Sequence, residues 1–130
     1  MLQISKQVDY SIQLLLRLKS LEKEEFLSLK KFSDEKKISF LFLQRLAGIL
    51  KNNGLIKSKR GSQGGYFLSP DLKNISLKKI IEVMDGGFGL CDCLRKKNCT
   101  CGREKTCAGK TFLEPVNEEI IAVLEKTIII

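Results

Sequence analysis

Leu43, Leu46, Ala47 and Leu50 fall at i, i+3, i+4 and i+7, the spacing of one buried helix face, and they predict a helix over FLFLQRLAGILKNN. Ser39 stands before it as an N-cap, and Gly54 after Asn53 supplies the left-handed residue that closes it. A shorter helix precedes it, with Ser28 capping LKKFSDEK and Leu29 and Phe32 facing inward. Two short helices joined by a tight turn, the second polar on its outer side, form a helix-turn-helix pattern. The outer side near the start of the second helix offers Ser39, Phe40, Gln44 and Arg45. Gln and Arg each make paired hydrogen bonds to base edges in a major groove. The same residues also suit a plain solvated face.

The periodicity then shortens. LIKSK and YFLS are β-prone segments flanking RGSQGG, which reads as a hairpin with a basic, glycine-rich tip. A hairpin directly after a helix-turn-helix is a wing. Lys57, Lys59 and Arg60 would meet phosphates there, with Gln63 and Gly64 at the tip, and Arg60 would reach into a narrow minor groove. After Pro70, Ser76 caps SLKKIIEVMDG, with Leu77, Ile80, Ile81 and Met84 on one side and Gly86 as the stop.

The two ends of the chain are greasier than one core requires. From Ser5, Ile4, Val8, Ile12 and Leu15 follow one helical face, while Leu14, Leu16 and Leu18 widen it. At the other end Phe112, Val116, Ile120, Val123, Leu124 and Ile128 keep a long apolar stripe, with Pro115 expected in the helix's first turn. Stripes that one subunit cannot cover predict a homodimer through the first and last helices. The expected fold is mainly α with a small β-hairpin wing. Residues 1–86 are expected to form a winged helix-turn-helix DNA-binding domain, 87–109 a cysteine-rich loop and 110–130 a dimerisation helix.

Charge sharpens this picture. The 130 residues carry a formal +8, and residues 1–86 hold 16 Lys and Arg against 9 Asp and Glu, whereas 110–130 hold 2 against 4. The basic excess therefore lies on the body, which points to an acidic partner, nucleic acid or an anionic membrane. No apolar run is long enough to span a bilayer and the start lacks the apolar block of a signal peptide, so the expected setting is the reducing cytoplasm, with no membrane partner. Histidine is absent, and no nucleophile-base arrangement or phosphate-cradling loop appears, so no enzymatic activity is expected.

All five cysteines lie between Cys91 and Cys107, in CDCLRKKNCTCGREKTC. Crowded thiolates spaced by Lys, Arg, Gly and Asn read as ligands of a soft metal, either zinc or an iron-sulfur cluster. The two Cys-x-Cys pairs alone would serve a structural zinc knuckle, and exchanging pairs would serve a thiol redox protein. An odd number of cysteines speaks against a disulfide framework.

Taken together, SKQVDYSIQLLLRL, LSLKKFSDEKKIS, FLQRLAGILKNNGLIKSKRGSQGGY, ISLKKIIEVMDG and CGREKTCAGKTFLEPVNEEI resemble, nearly end to end, the Rrf-type family of winged-helix transcriptional regulators. That family includes the iron-sulfur regulator IscR, the nitric oxide sensor NsrR and the iron regulator RirA. The resemblance implies a homodimeric regulator, expected to be a repressor, that grips a double-stranded DNA operator under the control of an iron-sulfur cluster sensing iron, redox state or nitric oxide. It implies one 2Fe–2S or 4Fe–4S cluster per subunit, held by Cys93, Cys101 and Cys107, with Cys91 and Cys99 as alternative ligands. With histidine absent, it implies Asp9 of the partner subunit as the fourth ligand; a plain acid favouring the helix dipole is the other reading of Asp9. Gln44 stands where many relatives have Glu, so the preferred operator is expected to differ from theirs. A winged-helix regulator with structural zinc or a thiol switch stays open beside this, as does a thiol redox protein.

Overall fold

Four of the helices start on a serine. In the computed structural model, which describes residues 2–95, 101–103 and 106–130, the helices are α1 (Lys6–Lys19), α2 (Leu29–Lys36), α3 (Phe40–Asn52), α4 (Leu77–Asp85), α5 (Asp92–Arg95) and α6 (Ala108–Lys126). The hydroxyls of Ser5, Ser28, Ser39 and Ser76 accept from the amides of Val8, Lys31, Phe42 and Lys79, which satisfies one otherwise orphaned donor at the start of α1, α2, α3 and α4. Gly86 closes α4 in the left-handed region at φ 81°.

Phe32, Leu43, Leu46, Leu50 and Ile80 are completely buried where α1, α2, α3 and α4 meet. The expected apolar faces of α2, α3 and α4 are the buried ones. On α1 the face is turned from expectation. Val8, Ser11, Leu14, Leu15 and Leu18 are buried, Ile12 is half-buried, and Ile4 and Leu16 are 45% and 46% exposed. Ile4 lies before the helix starts, so it has no place on the stripe. Ser11 sits on the buried side because its hydroxyl donates to the Gln7 carbonyl at 2.6 Å and so needs no water.

The wing is an antiparallel hairpin of β1 (Ile56–Lys59) and β2 (Gly65–Leu68), in which Ile56 faces Leu68 and Lys59 faces Gly65. Its base is held from the far side as well. Leu27, in the loop before α2, exchanges both backbone hydrogen bonds with Tyr66 at 2.9 Å, which makes β2 the middle of a three-stranded patch. Only a glycine fits beside that contact, because a Cβ on Gly65 would stand 2.5 Å from the Leu27 carbonyl oxygen.

At the other end of the molecule α6 departs from expectation in two ways. It begins at Ala108, so Pro115 lies inside the helix instead of in its first turn and leaves the Thr111 carbonyl without its helical donor. It also stops at Lys126. Residues 127–130 turn back along the start of α4, where Leu77 N–H donates to the Thr127 carbonyl at 2.8 Å, Ile129 N–H to Ile75 at 2.7 Å and Ile75 N–H to Ile130 at 3.1 Å. These bonds and the packing of α6 on α4 join the last helix to the winged part of its own chain.

Gly65→Ala is expected to lower stability by roughly 2 kcal/mol or more, because the strand pairing with Leu27 must yield. Gly48→Ala, in mid-α3 with nothing within 4 Å of the added carbon, is expected to raise stability by roughly 0.5–1 kcal/mol. Urea unfolding measures both. A Gly65→Ala protein as stable as wild type would mean that the Leu27 pairing does not hold the wing.

Candidate nucleic-acid interface and cysteine loop

Because Leu43, Leu46, Ala47 and Leu50 turn one side of α3 into the core, the leading turns present Leu41, Gln44 and Arg45 outward, all exposed. Leu41 is 77% exposed, an unusual position for a large apolar side chain. It is not among the residues expected on this face from sequence, although its signal is present: it is out of phase with the buried positions of its own helix. Ser39 is exposed but its hydroxyl is engaged in capping. Phe40 does not stand free on the outer side as expected; it is half-buried against the core, with the Lys30 ammonium 5.7 Å from its ring centre. Arg45 folds back, its guanidinium carbon 5.2 Å from the Phe42 ring centre and its Nη2 donating to Gln7 Oε1 at 3.5 Å.

On the wing, β1 buries only Ile56, leaving Lys57, Ser58 and Lys59 exposed. Lys59 lies over the Phe26 ring at 5.2 Å, and Lys51 Nζ donates to Ser58 Oγ at 2.8 Å, so β1 is braced against α3 and the loop before α2. Arg60, Gly61, Ser62 and Gln63 form the exposed tip, and Gly64 turns the chain with its N–H donating to the Gly61 carbonyl at 3.1 Å. A Cβ on Gly64 would collide with the Lys59 carbonyl, which accounts for glycine there. The exposed ends of α3 and the wing tip together give an apolar group, amide and guanidinium donors, and cations, the chemistry that reads base edges and grips phosphates.

The cysteine loop runs between α4 and α6. Gly86 and Gly87, both at positive φ (81° and 125°), start it, and the short helix α5 follows, with Arg95 donating to Asp92 at 2.7 Å. Asn117 holds it to α6. This residue is 4% exposed, and its Oδ1 accepts from Leu90 N–H at 2.8 Å, next to Cys91. Asn117 is likewise absent from the residues expected from sequence, though it is a polar side chain within the inward positions 113, 117, 120 and 124 of α6. The apolar stripe of α6 therefore divides. Leu124 packs against the chain's own core and Ile120 is half-buried, while Phe112, Val116 and Val123 stay exposed at 77%, 44% and 62%.

Of the proposed ligands, the structure brings two sulfurs together: Cys91 Sγ and Cys93 Sγ are 3.2 Å apart at the start of α5. Cys107 caps α6, its sulfur accepting from Lys110 N–H at 3.4 Å, at the positive end of that helix. Cys101 is exposed. Asp9 is exposed in the first turn of α1, where one oxygen accepts from Gln13 Nε2 at 3.2 Å. Cys99 lies outside the described residues. Among the described residues no three Cys, His, Asp or Glu side chains converge to hold a metal ion, so Cys93, Cys101 and Cys107 are not drawn together in one subunit alone. The donors fit a soft metal or cluster in kind, and the adjacent Cys91 and Cys93 sulfurs fit it in position.

Among the described residues no helix is long and apolar enough to cross a membrane. A family model described as an iron-dependent transcriptional regulator, Rrf2, matches residues 4–129. The chain is 27% identical over 125 residues to the HTH-type transcriptional regulator NsrR of Shouchella clausii, covering 96% of this chain and 84% of that one. It is 32% identical over 92 residues to the regulator IscR of Yersinia pseudotuberculosis, covering 71% of this chain but only 55% of that one. Its fold superposes on CymR, the global cysteine regulator of B. subtilis, with a TM-score of 0.77 at 27% identity, across 99% of this chain and 94% of that structure. An iron-dependent regulator model matched almost end to end, on a winged helix followed by a thiol-rich loop and a long last helix, makes this chain a member of the Rrf2 family of transcriptional regulators.

Proposed function

We propose that this chain is a homodimeric repressor that grips a double-stranded DNA operator through α3 and the wing, and whose grip is set by an iron-sulfur cluster in its cysteine loop. The observation that carries the reading is the placement of that loop: it follows α4, which packs on α3, and it is pinned by Asn117 to α6, the helix with an exposed apolar face. A change in the loop therefore bears on the recognition helix and on the subunit contact at once. Residues 1–86, 87–109 and 110–130 would act as reader, sensor and dimer helix. Cys93, Cys101 and Cys107 would hold the cluster, with Asp9 of the partner subunit as fourth ligand and Cys91 or Cys99 as substitutes. When bound, the cluster supplies an oxidant- and iron-sensitive crosslink between loop segments. Phe112, Val116 and Val123 would bury themselves against the second copy.

On the DNA side, Lys57, Lys59 and Arg60 would neutralise phosphates, with Gln63 and Gly64 close to the backbone, while Ser39 and Phe40 shape the leading turn. Gln44 and Arg45 would read base edges. Leu41 would contact a thymine methyl, the one apolar group a base pair shows in the major groove. A second reading, a thiol switch or a structural zinc, draws support from the 3.2 Å separation of the Cys91 and Cys93 sulfurs.

Leu41→Ala and Gln44→Ala are expected to relax base preference at single operator positions by roughly 1–3 kcal/mol. Lys57→Ala and Arg60→Ala are expected to weaken all duplexes alike and to lower the salt slope by about one unit each. Anisotropy titrations over a set of single-base operator variants and several salt concentrations separate the two classes. Equal losses of preference from Leu41→Ala and Lys57→Ala would contradict the assignment.

Protein isolated without air is expected to contain iron and acid-labile sulfide in equal amounts, with visible absorbance. Removing the cluster is expected to change operator affinity by roughly 5- to 150-fold. Colourless, iron-free protein that binds zinc instead would support the second reading. Equal operator affinity with and without the cluster would remove the sensing role.

A further inference from the structure

Gln7 joins three parts of the molecule through the two ends of one amide. It is half-buried on α1, and its Nε2 donates to the Met84 carbonyl at 3.1 Å and to Asp85 Oδ1 at 2.8 Å, in the last turn of α4. The Asp85 oxygen also accepts from the N-cap hydroxyl of α1, Ser5 Oγ, at 3.0 Å. On its other side Gln7 Oε1 accepts from Arg45 Nη2 of α3 at 3.5 Å. The orientation of the amide follows from its neighbours: a guanidinium can only donate, and a carbonyl and a carboxylate can only accept, so the oxygen must face Arg45.

The three parts have different jobs. Arg45 stands on the outward side of α3, yet here it lies back along the helix over Phe42. Asp85 is the last residue of α4, and the two positive-φ glycines that begin the cysteine loop follow it directly. A displacement of the loop thus bears directly on Asp85, the residue to which the loop is joined. The three contacts of Gln7 differ in strength. Those to Met84 and Asp85 are short and partly buried, while the one to Arg45 is long and exposed, and so is readily exchanged for a phosphate or a base edge. No ion pair links Arg45 to Asp85 directly among the described residues, so the neutral amide is the link between them.

We infer that Gln7 is a positioning residue: held by Asp85 and Met84, it retains Arg45 on the protein, and when the cysteine loop shifts Asp85 it releases Arg45 to the duplex. This rests on the reading of α3 as the DNA-contacting helix. It adds a route by which the loop acts within one subunit, besides any change in the spacing of two subunits.

The test uses the full chain and a duplex selected by the wild-type protein from a randomised pool. Gln7→Glu would pair with Arg45 and repel Asp85, so it is expected to hold Arg45 back and to weaken binding by about tenfold. Gln7→Met, of similar length with no polar end, frees Arg45; it is expected to bind at least as tightly as wild type and to alter base preference only where Arg45→Ala does. In the Arg45→Ala background both substitutions should leave affinity unchanged, and Gln7→Met carries the test alone if Gln7→Glu does not fold. Effects of Gln7 substitution that persist in full without Arg45, or an unchanged base preference, would overturn the relay while leaving DNA binding intact. A wild-type chain that selects no duplex would overturn the DNA-binding reading and the relay with it.

Discussion

The burial of Ile80, Ile81 and Met84 on α4 is the constraint on which the rest of the structure depends. Each of these side chains contributes roughly 1.5–3 kcal/mol by leaving water, and α4 packs against α1, α3 and α6. The order of the chain gives that burial its functional weight. The wing comes just before α4, and the cysteine loop just after. A helix packed firmly against its neighbours transmits a displacement at its end instead of absorbing it, because a close-packed core has no slack at the scale of a methyl group. The backbone bonds of residues 127–130 to residues 75 and 77 extend the same coupling to the far end of α6.

The helix-turn-helix, the wing and α4 were legible in the sequence because each rests on local rules. Serine caps, a glycine stop and apolar residues at i, i+3, i+4 and i+7 act within a few residues of one another. What local rules could not decide was which of two greasy faces a helix buries. On α1 the answer came from partners elsewhere in the chain, and Ser11 joined the buried face because its hydroxyl found a carbonyl one turn back. The return of the tail to α4 depends on pairing between segments far apart in sequence, to which no periodicity within Ile128–Ile130 gives a clue. Pro115 falls in the helix interior instead of its first turn because α6 starts earlier, at Ala108, where the Cys107 sulfur caps it.

The site was legible in kind and less so in position. Lys57, Arg60, Gln63, Gln44 and Arg45 are all exposed as expected, but Phe40 is partly withdrawn into the core, and Leu41, its neighbour, is the apolar side chain left on the surface. The cysteines show the same limit. Their number and spacing suggest ligand chemistry, yet among the described residues only Cys91 and Cys93 stand side by side, while Cys107 is engaged in capping α6. A metal site is held together by its metal as much as by its fold, so thiol spacing alone does not define a three-dimensional ligand set. The exposed Phe112, Val116 and Val123 leave α6 incomplete as a single-chain element in the same sense.

The central claim, that one face formed by the leading turns of α3 and the tip of the wing meets duplex DNA, is tested most directly by amide hydrogen exchange measured peptide by peptide with and without a bound operator duplex. Slowed exchange is predicted over residues 39–45 and 57–64, with the outer side of α6 unchanged. Protection confined to α6 or the cysteine loop, with the wing and α3 exchanging as in the free protein, would contradict the account.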